Sequence, residues 1–154
     1  MPHDIDRRPN TSVESLALLL GRLALAAIFL QSGFGKLMNL GGFTQMLASQ
    51  GVPAPSLLGP VGACIEFFGA LAVALGFKAR WAALLMIAFT IAATLTAHRF
   101  WAVPDAERAL QQIQFFKNLA ILGGFLLLFA RGAGPISVDD AVWPGRAGAS
   151  RPAS

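Results

Sequence analysis

An all-α bundle of four transmembrane helices, with a short interfacial helix in its first connection, is the fold this sequence predicts. Three observations predict it. Of 154 residues, 55% are hydrophobic and only 13% are charged, against about 25% charged in an ordinary soluble domain. Four apolar runs approach the length needed to cross a bilayer, and the connections and tails around them carry eight of the nine prolines and most of the charges. No segment alternates at the two-residue period of a strand. The mean hydropathy of +0.61 agrees with a membrane protein. The length fits one domain, expected as an N-terminal tail over 1–13, a helical membrane domain over 14–136 and a C-terminal turn and tail over 137–154.

The charge balance excludes one class of function. The net charge is +4, but the basic residues are scattered at the ends of apolar runs and not clustered on one element, so no nucleic-acid partner is expected. Cys64 is the only cysteine, which leaves no intrachain disulfide, dithiol pair or multi-cysteine metal site. It reads as a small packing residue on an apolar helix.

Thr11-Ser12-Val13-Glu14 has the form of a capping box opening the first helix. The first span, 16–34, is long enough only if Arg22 lies inside it, with Gln31 and Lys36 towards the far end. In the connection 38–58, Phe43, Met46 and Leu47 make one amphipathic turn or helix at the interface. Gly51-Val52-Pro53-Ala54-Pro55 stops it. The second span, 59–77, contains a single carboxylate, Glu66, whose helical face is made of Gly59, Gly62, Ala63, Gly69, Ala70 and Val73. Small residues admit a neighbouring helix closely, so Glu66 is expected to point into the bundle. Only Lys78-Ala79-Arg80 separates this span from the third, 81–97, so the two form a tight antiparallel hairpin. On the third span Thr90, Thr94 and His98 make a polar stripe, followed by Arg99, Phe100 and Trp101 as an interfacial anchor. The fourth helix starts in polar sequence carrying Gln111, Gln114, Lys117 and Asn118 and runs to Phe129. An ordered turn is expected over 137–143.

Basic residues near the spans set the expected orientation. With four spans, Arg7, Arg8, Lys78, Arg80, Arg131, Arg146 and Arg151 share one side, and Lys36, Arg99, Arg108 and Lys117 the other. Both termini are therefore expected in the cytoplasm.

A charge at the bilayer centre costs about 2.5–3.5 kcal/mol on insertion scales, so Glu66 needs a partner. Arg22 and Lys117 are the leading candidates, with Arg22 preferred because no other acid in the membrane neutralises it. The expected buried polar cluster is Arg22, Glu66, Gln114 and Asn118, and the expected outer rim is Lys36, His98, Trp101 and Lys117, with Phe29, Phe115 and Phe116 beside it. Such a pocket suits a quinone headgroup or another small polar molecule. No haem or metal is expected, because His3 lies in the tail and leaves His98 alone. A second reading stands beside this: an Arg22–Glu66 pair can lock helix register without doing chemistry.

Several of these residues fall in a familiar order. Arg22-Leu23-Ala24, Gly33-Phe34-Gly35-Lys36-Leu37, Gly51-Val52-Pro53-Ala54-Pro55, Glu66-Phe67-Phe68-Gly69-Ala70, Arg80-Trp81-Ala82-Ala83, His98, Lys117-Asn118 and Gly132-Ala133-Gly134-Pro135-Ile136-Ser137-Val138-Asp139 together resemble the DoxX family over 16–140. The resemblance implies a four-helix integral membrane protein of the bacterial inner membrane. It also implies a link to quinol oxidase, sulfur or oxidative-stress redox systems. Arg22, Lys36, Glu66, His98 and Asn118 match the motif positions, without established catalytic roles. The expected function is a subunit or accessory of a quinone-linked membrane redox system, with an oxidoreductase subunit or a second copy of the chain as partner. A membrane scaffold or assembly factor is the alternative, and a small-solute carrier a third.

Overall fold

The computed structural model describes residues 12–144. The capping-box residue Thr11, the basic pair Arg7-Arg8 and the last ten residues lie outside the described part. Among the described residues there are six α-helices: α1 (Ser12–Met38), α2 (Leu40–Ser49), α3 (Pro55–Leu75), α4 (Ala79–Ala97), α5 (Asp105–Arg131) and α6 (Val138–Val142), with a 3-10 turn at Phe100–Ala102 between α4 and α5. The described residues form no strand. Four of the helices, α1, α3, α4 and α5, are long and apolar enough to cross a membrane.

Local sequence explains the boundaries. Asn39 caps α2 by accepting from Gly42 N at 3.0 Å. Pro55 occupies the first turn of α3, where a missing N–H costs nothing. Gly76 ends α3 at φ +67°, a left-handed conformation that lets Phe77 N donate back to Ala72 O at 2.9 Å. The amides that open α4 are capped from a distance: Asp139 accepts from Lys78 N (2.6 Å) and Ala79 N (2.9 Å). Ser137 in turn caps α6.

Packing follows a membrane logic. Ala26, Ala63, Ala70, Ala83 and Gly33 are buried, whereas Leu20, Leu23, Phe68, Leu75, Leu126 and Leu127 face outward to lipid. Cys64 also faces outward, so it is no interior packing residue. α1 packs most extensively on α3, α3 on α4 and α4 on α5, while α5 closes more lightly on α1. Phe125 meets Phe29 at a centroid distance of 5.6 Å, and Phe29 meets Phe89 at 6.5 Å, tying three helices at the centre. α2 lies across α3 at the other end from the termini.

Gly33 fixes the α1–α3 register. A Cβ there would sit 2.8 Å from Phe67 N, so the two backbones touch. Gly33→Leu is expected to force the helices apart and to lower stability by about 1–3 kcal/mol, the usual cost of overpacking, as read by a denaturant titration in detergent.

Two boundaries differ from the sequence reading with consequences for the site. α1 continues to Met38 rather than ending near Phe34, and α3 begins at Pro55 rather than Gly59. Gly35 is tolerated inside α1 at a cost near 1 kcal/mol, and Pro55 in the first turn of α3 at almost none.

Candidate functional site: a cavity beneath the interfacial helix

The Gly33–Phe67 contact places Lys36, one turn further along α1, beside Glu66. Lys36 Nζ lies 2.5 Å from Glu66 Oε2, with the Glu66 side chain 4% exposed. The partner of the buried acid is therefore Lys36. The expected Arg22–Glu66 pair is corrected: Arg22 lies against Gly76, whose absent Cβ leaves space for the guanidinium. Ten residues of α3 separate Gly76 from Glu66, about 15 Å of rise, beyond the reach of an arginine.

Lys36 also lies under the ring of Phe43 from α2, 5.0 Å from its centroid. Beside it is a cavity of about 300 Å³ lined by α2, α3 and α4, with Lys36, Gln50 and His98 as its main polar groups and Phe43, Ile65 and Phe89 among its apolar ones. Gln50 Oε1 is buried and has no hydrogen-bond partner. His98 Nδ1 and Gln111 Oε1 are 2.9 Å apart, a hydrogen bond when Nδ1 carries the proton. The cavity thus presents an ammonium donor, an imidazole and a free amide acceptor around an apolar floor. It suits a flat, mostly apolar ligand with hydroxyl or carbonyl oxygens at its edge.

The remaining candidate residues divide among other places. Asn118 Nδ2 donates to Thr94 Oγ1 (2.9 Å), which donates to Thr90 O (2.6 Å), forming a buried polar link between α4 and α5. Gln114 accepts from Lys117 Nζ at 2.7 Å on α5. Trp101 packs on Phe100 and Phe115 in an aromatic cluster with Phe116. Arg22 donates to Ile136 O at the end of the bundle that carries the termini. Neither Trp101 nor Lys117 lines the cavity. The anticipated four-residue polar cluster is thus distributed along the bundle, and Lys36 and His98 are the two expected residues that share the cavity.

Gln50 is the residue that sequence reasoning missed. Its signal was its place: an amide ending an amphipathic helix whose apolar face, Phe43 and Leu47, covers the bundle.

The DoxX family profile matches residues 17–99. Inner membrane protein YphA of Escherichia coli (strain K12) is 37% identical over 122 residues, 79% of this chain and 87% of that protein. Inner membrane protein YqjF of the same organism is 35% identical over 127 residues, 82% of this chain and 92% of its own length. ER-derived vesicles protein ERV29 of Saccharomyces cerevisiae is 29% identical over 76 residues, covering 49% of this chain and 24% of the yeast protein. No solved structure matches significantly. The match spans α1 to α4, which together contain Lys36, Glu66 and the cavity beneath α2, and the chain belongs to the DoxX family.

Proposed function

We propose that the cavity beneath α2 holds a quinone or quinol headgroup and that the protein serves as a subunit or accessory of a quinone-linked redox system in the bacterial inner membrane. The observation that carries this reading is the unpartnered, buried Gln50 Oε1 in a cavity it shares with Lys36 and His98. An orphaned buried acceptor costs about 1–3 kcal/mol, and a ligand hydroxyl satisfies it. Lys36 Nζ is placed to donate to a carbonyl oxygen and His98 Nε2 to accept from a ligand hydroxyl, while Ile65, Phe89 and the aliphatic part of α2 hold the ring. The chain's own contribution is to bind, orient and solvate the polar edge of the headgroup. Glu66 directs Lys36 by accepting its hydrogen bond.

Two features support the membrane placement. The relatives YphA and YqjF are named inner membrane proteins, and the basic residues Lys78, Arg80 and Arg131 gather at the end opposite α2. The α2 end then faces the periplasm and both termini the cytoplasm.

Binding of a short-chain ubiquinone analogue to the purified protein in nanodiscs, read by tryptophan fluorescence, tests the proposal. Gln50→Leu is expected to weaken binding about 5- to 30-fold, in line with a lost hydrogen bond that leaves a ligand group unpaired. Gly62→Leu fills the cavity from its lining, where a Cβ meets only Phe89 at 3.9 Å, and is expected to abolish binding. Unchanged affinity in both variants rules the site out.

A further inference from the structure

The cavity beneath α2 is small for a membrane ligand. At about 300 Å³ it stands at the lower limit of ligand pockets, with room for a ring headgroup and none for a long hydrocarbon chain attached to it. A membrane quinone carries such a chain, so the site is complete only where the chain has somewhere to lie.

One place is continuous with it. A groove of about 450 Å³ runs between α3 and α4, and Ile65 lines both the groove and the cavity. On α3 the lining passes from Leu58 and Gly62 in the cavity, through Ile65, to Gly69 and Ala72 in the groove. These are steps of three and four residues, which keep to one helix face. On α4 the same progression runs back from Thr96, Ala93 and Phe89 in the cavity to Leu85 and Ala82 in the groove. Cavity and groove are therefore two lengths of one valley between antiparallel helices.

The valley is floored and opens sideways. Gly69 is buried, and a Cβ on it would sit 2.6 Å from Met86 Sδ, so the two helices close together beneath the groove. Phe68, Trp81 and Leu85, which also line it, are exposed on the lipid-facing surface. From Ile65 to Ala72 the groove follows α3 for about 10 Å, and it continues to Phe77 and Lys78 at the α3–α4 turn. Among the described residues Lys78, at that far end, is the one charged group lining it. A polar site at one end of an apolar valley fits a ligand with a polar head and a hydrocarbon tail.

We propose that the α3–α4 groove seats the isoprenoid tail of the ligand whose headgroup lies beneath α2, which makes that ligand a long-chain, lipid-soluble quinone. This rests on the headgroup reading of the cavity. The tail runs from the α2 end of the bundle towards the end that carries the termini, and the open side of the groove admits it laterally from the bilayer. In leaving lipid for the groove the chain exchanges one apolar surrounding for another, so it adds little affinity. Its location is the observable.

A long-tail benzoquinone with a diazirine on its tail, photolysed with the full-length protein in nanodiscs and mapped by peptide mass spectrometry, tests the proposal. Adducts are expected on α3 between Phe68 and Ala72 and on α4 between Trp81 and Leu85. Excess tail-less benzoquinone, which takes the cavity alone, and Gly62→Leu, which fills it, are each expected to abolish those adducts, because the bound head holds the tail in place. Ala72→Phe obstructs the groove at a partly buried position outside the cavity lining. It is expected to lose the groove adducts while still binding the tail-less analogue, which also shows that the variant is folded. Tail adducts scattered over the lipid-facing surface overturn the proposal. So do groove adducts that survive excess tail-less quinone or persist in a folded Ala72→Phe, since ordinary bilayer chains then fill the groove. Each of these results leaves the headgroup reading standing when the tail-less analogue binds by tryptophan fluorescence. Failure of that analogue to bind removes the headgroup reading and the tail assignment with it.

Discussion

Lys36→Met is expected to destabilise the protein by about 3 kcal/mol, the low end for removing one partner of a buried ion pair. The reason is asymmetric. Glu66 stays in place with its side chain 4% exposed, facing a small-residue helix surface that offers it no other cation. Lys36 is 27% exposed, so part of its charge is already solvated, which holds the loss towards the lower bound. The double variant Lys36→Met with Glu66→Gln removes both charges and is expected to recover most of the loss. Reversible unfolding in mixed micelles measures all three proteins. A double variant no more stable than Lys36→Met would mean that the pair is not what the lysine holds in place.

The second large effect is expected at Gly76. Its φ of +67° is a backbone conformation that costs a non-glycine residue about 1–2 kcal/mol. A Cβ at Gly76 would overlap the Arg22 guanidinium and approach Ser137 Cβ to 2.6 Å. The C-terminal segment is held over this point by Asp139 N donating to Gly76 O at 3.0 Å and by the Asp139 cap on α4, so neither neighbour moves freely. Gly76→Ala is therefore expected to cost about 2–4 kcal/mol, the conformational and overpacking terms together. Combining it with Arg22→Ala relieves one of the two overlaps, so the pair is expected to be less damaging than the sum of the single changes. Additive losses in a thermal-unfolding series would show that Arg22 and Gly76 do not share this contact.

These effects mark the line between what was legible in the sequence and what was not. Periodicity and small residues sufficed for the four spans, the α3–α4 hairpin and the face of α3 that carries Glu66, because each depends on neighbours within one helix or across one short turn. The interfacial helix was legible from Phe43, Met46 and Leu47 for the same reason. The partner of Glu66 was not. It depends on the axial offset of α1 against α3, which the Gly33–Phe67 backbone contact sets, and an error of one turn in where each helix starts moves Arg22 or Lys36 into reach. Arg22 had looked like a counter-ion because its charge lies in a span. Its actual neighbours, Gly76 and Ile136, come from segments more than fifty residues away along the chain. Gln50 was hidden because its significance lies in an unfilled hydrogen bond, a property of three packed elements and not of any one of them.

The family relationship and the geometry meet at one place, the cavity beneath α2. Photolabelling with an azido-quinone, followed by peptide mapping, addresses it most directly. The structure predicts adducts on α2 between Phe43 and Gln50 and on α4 between Phe89 and His98, with competition by unlabelled quinone and loss in Gly62→Leu. Adducts confined to segments that do not line the cavity, or labelling that neither competition nor Gly62→Leu diminishes, would contradict the assignment of this cavity as the ligand site.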